Sequence, residues 1–95
     1  MNFDTRTVID IISINKDLKD KLCGSIDSEL LELSYESPEE FTDEDLFNSL
    51  KPIFQAYISR FFKNDLKNTD LAFVKKLVNL KNVNYHVLID EVKKM

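Results

Sequence analysis

Apolar residues along this chain return at intervals of three and four, the spacing of one helix face, more often than they alternate. Over about 5–23, Val8, Ile11, Ile12, Leu18 and Leu22 fall on one side, and Gly24 follows where a C-terminal cap would stand. Asn15 and Lys19 interrupt that stripe, so the pattern predicts a break near Asn15. A second short helix is expected over about 26–35, with Ser25 as its N-cap. Ser37, Pro38 and Glu40 then supply a cap, a proline at the first helical position and a glutamate at the third. Thr42 followed by Asp43, Glu44 and Asp45 repeats that logic, with three acids facing the positive end of a helix dipole.

The helix begun there is the strongest signal in the chain. Leu46, Phe47, Leu50, Ile53, Phe54, Tyr57, Ile58, Phe61 and Phe62 occupy an arc of roughly 180°, wider than the ~100° stripe of a surface helix. Pro52 projects from the polar side, so a kink rather than a stop is expected within a central helix spanning about 43–63. Beyond Asn64, a cap at Asn68 or Thr69 predicts a helix over about 70–80, with Leu71, Phe73, Val74, Leu77, Val78 and Leu80 on its apolar half. Asn82 and Asn84 open a last helix whose face is Tyr85, Leu88, Ile89, Val92 and Met95.

These elements predict an all-α bundle of four or five helices in a single domain. Alternation of Val83, Tyr85, Val87 and Ile89, and a similar ambiguity over 7–14, keep a small α+β fold with strands near 7–14 and 83–89 as the rival. One Gly and two Pro in 95 residues leave little material for the tight turns of a sheet. A hydrophobic content of 43% beside 32% charged residues is a globular balance.

Charge is distributed less evenly than hydrophobicity. Between Leu22 and Leu50 there is no Lys or Arg, yet nine carboxylates occur: Asp27, Glu29, Glu32, Glu36, Glu39, Glu40, Asp43, Glu44 and Asp45. The net charge of −4 therefore conceals an acidic N-terminal half and a basic C-terminal half. A surface of one sign attracts complementary surfaces and repels its own kind. Helix capping explains part of the acidic run. It does not explain the exclusion of Lys and Arg, because mixed charge serves solubility equally well.

Candidate chemistry is sparse. A nucleophile and base would have to come from Cys23 and His86, which fit better as a small apolar side chain and a helix-flank residue. A glycosidase-type carboxylate pair needs buried acids of divergent pKa, and these acids stand in caps and turns. Neither a calcium-loop pattern nor a Gly-rich phosphate loop occurs, and no cofactor is implied. Arg60, Lys63, Lys67, Lys75, Lys76, Lys81, Lys93 and Lys94 could line a nucleic-acid surface, but a single Arg among them is poor material for base readout. Solvated helix faces explain these lysines better.

The longest apolar run is four residues, Leu71 to Val74, against the ~18 that a membrane span needs. With one Cys and no secretory pattern at its N-terminus, the chain reads as cytoplasmic, in a host cell if a virus encodes it. The expected function is non-enzymatic: an acidic module of the inhibitor, immunity-protein or antitoxin kind, masking a basic surface of a partner protein with the nine carboxylates. The competing expectation is a homodimer or larger regulatory assembly, or a nucleic-acid binder through the basic half. Phe62 and Phe73, at the edges of the wide apolar arcs, are the residues expected to meet a partner or a second copy.

Overall fold

The structure, a computed structural model, describes residues 1–36, 41–66 and 72–95, the side chains of Ala72 and Phe73 excepted. Four α-helices carry it: α1 (Phe3–Ile14), α2 (Lys16–Glu36), α3 (Asp43–Arg60) and α4 (Tyr85–Lys93). Among the described residues there is no strand, which removes the α+β alternative. The caps explain why. Asn2 accepts a 2.7 Å hydrogen bond from the Thr5 N–H and starts α1, whose buried Val8, Ile9, Ile11 and Ile12 follow helical spacing. At the other end of the chain Asn84 accepts from the Val87 N–H, and Val83 and Leu88, which flank the cap as a hydrophobic staple does, both enter the core.

Asn15 breaks the first segment as expected. Its N–H closes α1 on Ile11, its side chain accepts from the Leu18 N–H at 3.0 Å, and α2 begins at the next residue. The stop expected at Gly24 does not occur. Gly24 has no positive φ, Ser25 donates its hydroxyl to the Lys21 carbonyl instead of capping, and α2 runs on to Glu36. Leu22 and Ile26, one turn apart on either side, are both buried. Their packing outweighs the ~1 kcal/mol that glycine costs a helix interior.

Helix α3 is started by a complete capping box: Thr42 accepts from the Asp45 N–H at 3.2 Å, and Asp45 accepts from the Thr42 N–H at 2.9 Å. It passes through the exposed Pro52 without ending. After Arg60 it widens into a π-turn, Phe61–Asp65, in which the Leu66 N–H bonds the Phe61 carbonyl. The looser winding brings Phe61, Phe62 and Leu66 into the core together. The cap proposed from Ser37, Pro38 and Glu40 lies outside the described residues.

The helix expected over 70–80 is not formed in its described part. Ala72–Lys76 is a 3₁₀ turn and Leu80–Asn82 another. Between them Asn79 is extended; its N–H donates to Asp4 at 3.0 Å and its side chain accepts from the Lys81 N–H. A short helix is marginal on its own, and here an asparagine offers the backbone a competing local bond plus a tie to α1.

One apolar cluster holds the bundle, with Val8, Ile12, Leu22, Leu50, Phe54, Ile58 and Leu88 fully buried. Helix α3 packs mainly along α2, and α4 lies against α1, α2 and α3. Helices α2 and α3 are antiparallel. Leu18 and Lys21 of the start of α2 share a cleft with Tyr57 and Phe61, while Ile26 and Leu30 share another with Asp43 and Leu46. The molecule is elongated, 45 × 24 × 20 Å, and no described helix is long and apolar enough to cross a membrane.

Candidate functional site

The antiparallel pairing of α2 and α3 turns a sequence feature into a spatial one. Residues 23–30 of α2 lie beside the first turn of α3 and α2 runs on past it, so the described acids of the 22–50 stretch lie toward one end of the bundle, on more than one face of it. Glu29, Glu32 and Glu36 recur at three and four residues along α2 and share a face. Their proximity is registered by Glu29, whose carboxyl is raised above its ordinary value first by partial burial and then by repulsion from Glu32 and Glu36. Asp43, Glu44 and Asp45 occupy the first turn of α3, all exposed. Asp45 is committed to the capping box, so its carboxylate serves the fold first. Glu39 and Glu40 lie outside the described residues.

Two ion pairs occur among the described residues, Arg6 with Asp10 and Lys94 with Glu91, and neither uses an acid of this stretch. One cation does approach. Lys93, at the end of α4, lines a cleft with Asp27 and Asp43, and a neighbouring one with Asp43, Glu44 and Asp90. Among the described residues that line these two clefts Lys93 is the one cation, and Lys51 stands near, its ammonium 6.0 Å from the centre of the Phe47 ring.

The first of these clefts has a volume of about 530 Å³ and an apolar floor of Ile26, Leu30, Leu46 and Val92, bordered by Cys23 and Met95. Such a combination is invisible in sequence, because it needs α4 laid across α2 and α3. The Cys23 sulfur lies 4.0 Å from the Val92 carbonyl and is half-buried. His86, which lines the neighbouring cleft, stacks on Phe47 with ring centroids 3.5 Å apart and an interplanar angle of 10°. His86 remains exposed beside this stack, and Cys23 does not line that cleft. Among the described residues no group of three His, Cys, Asp or Glu could hold a metal ion.

Phe62, expected to meet a partner, is only 4% exposed and packs in the core within the π-turn. The side chain of Phe73 lies outside the described residues. Exposed apolar surface is found instead on the outer face of α2, where Leu31 is 61% and Tyr35 81% exposed one turn apart. Their position four residues apart, interleaved with Glu32 and Glu36, was readable in the sequence.

No protein-family model matches the chain, and no curated protein or solved structure matches it.

Proposed function

We propose that the chain is a non-enzymatic acidic binding module that masks a basic surface of a partner protein, in the manner of an inhibitor, immunity protein or antitoxin. One observation carries this reading: the acids of a lysine-free stretch are brought to one pole and left without ion pairs among the described residues. Partial burial first, and then Glu32 and Glu36, disfavour the Glu29 carboxylate in the folded chain, a cost compatible with charge kept for recognition. Electrostatic steering by such a pole speeds encounter with a basic surface and rejects acidic ones. Self-association through α3 loses its main support, since Leu46, Leu50, Phe54, Ile58 and Phe62 of the wide arc are buried within the chain.

The test is affinity capture on the immobilised chain at low and high salt, beside a Glu32→Lys, Glu36→Lys, Glu44→Lys variant. All three side chains are exposed and none caps a helix, and the Glu44→Lys change at the dipole of α3 costs only about 1 kcal/mol. Retention of a basic protein by the native chain at low salt, lost in the variant, is the expected result. Equal capture by both chains contradicts the reading.

A further inference from the structure

We infer that the cleft between α2, α3 and α4 receives the apolar face of a basic amphipathic helix supplied by a protein partner. The inference rests on the acidic-binder reading for the sign of the partner and goes beyond it in naming the seat and the shape of what enters.

The seat is an open groove of about 530 Å³ with a floor of Ile26, Leu30, Leu46 and Val92. That volume is within the ~300–1,000 Å³ range of sites that take up apolar groups. Helix α4 ends at Lys93 on one side of it, and α2 continues past Leu30 to Glu36. The occupant is a helix on backbone grounds. Among the described residues there is no sheet edge to pair with an extended segment, whereas a helix satisfies its own amides and docks with its i, i+3, i+4 side chains.

Its charge follows from the walls. Asp27 and Asp43 stand in the groove, and Glu44 and Asp90 line the adjoining cleft, while Glu29, Glu32 and Glu36 lie on another face of α2. A second copy fits poorly, because α4, its basic-ended helix, already buries Tyr85, Leu88, Ile89 and Val92 in its own core. Lys93, an exposed residue, is the one opposing charge in the groove lining, and its long flexible stem lets the ammonium turn away from a basic occupant.

The experiment uses the full chain and two synthetic helices of one pattern, leucine with lysine and leucine with glutamate, read by fluorescence anisotropy. Modification of Cys23 by a thiol reagent is followed in parallel, since its side chain borders the groove. The Leu/Lys helix binds at least ~10-fold tighter than the Leu/Glu helix, Lys93→Glu tightens it further, and Asp27→Lys weakens it. Saturation slows Cys23 modification. Leu30→Lys, at a half-exposed position, abolishes binding whether or not Cys23 reacts in the free chain.

Equal affinity for the two helices, or Leu/Lys binding that is indifferent to Leu30→Lys and leaves Cys23 reactive, overturns the groove. In the second case charge-driven binding elsewhere on the acidic pole still stands. Leu/Lys binding in the groove alongside partner capture that survives the triple lysine variant overturns the acidic-surface reading alone.

Discussion

The buried hydroxyl of Thr5 accepts a 2.8 Å hydrogen bond from the backbone N–H of Asn84, joining the first turn of α1 to the residue that caps α4. Asn2 adds a second tie, donating to the Asn82 carbonyl at 2.8 Å, and Asp4 a third, accepting from Asn79. The start of α1 is thereby fastened to the 79–84 segment that leads into α4, which holds the first turn of α4 against α1. Thr5→Val keeps the shape and removes the acceptor. Thermal unfolding is expected to show a loss of about 1–2 kcal/mol, with α4 loosened first in amide exchange. Unchanged stability means the bond does not fasten α4.

Gly24 gives the opposite sign. It sits inside α2 without positive φ, and a Cβ built there meets nothing within 4 Å. Gly24→Ala is expected to stabilise the protein by about 0.5–1 kcal/mol through helix propensity and a less free unfolded chain. Destabilisation in a denaturant melt would show that α2 is interrupted there after all.

Core and surface aromatics separate cleanly. Phe54 is fully buried between α3 and its neighbours, so Phe54→Ala is expected to cost about 3–5 kcal/mol. Tyr35, 81% exposed, is expected to lie within about 0.5 kcal/mol of the native protein when changed to Ala. Comparable losses at both positions in urea titrations contradict the packing described.

Glu29 carries a pH dependence. Its carboxyl is raised in the folded protein, so the folded state holds that proton more tightly than the unfolded chain does. Its effect on stability is therefore unfavourable above the carboxylate range and fades as pH falls through it. Glu29→Gln is expected to raise the melting temperature at about pH 7 and to leave it unchanged at about pH 3, where both states are protonated. A lower melting temperature at neutral pH contradicts the like-charge arrangement of Glu29, Glu32 and Glu36.

Helix identity was legible where side chains and caps agree. The stripe of Leu46, Leu50, Phe54 and Ile58, the Thr42 cap and the break at Asn15 all emerge from spacing and capping chemistry. Gly24 misled because its signature is local, whereas the continuity of α2 is decided by the distant partners of Leu22 and Ile26. Residues 72–80 misled for the reverse reason: helical spacing was present, but Asn79 bonds to Asp4, 75 positions away, which no local pattern encodes. The acidic run was plain in the sequence. Its gathering at one pole, the intrusion of Lys93 and the apolar groove beneath arise from the antiparallel pairing of α2 with α3 and the placement of α4. Phe62, at the edge of the apolar arc where spacing fits either a partner-facing or a core-closing residue, is buried in the π-turn after Arg60.

The most direct measurement is the association rate of the captured partner with the native chain and with the Glu32→Lys, Glu36→Lys, Glu44→Lys variant, followed across ionic strength. A pole that steers a basic surface gives a native rate that falls steeply between about 0.05 and 0.5 M salt, and a variant rate that is slower and nearly flat. Identical rates with identical salt dependence would place recognition elsewhere on the molecule and contradict the account.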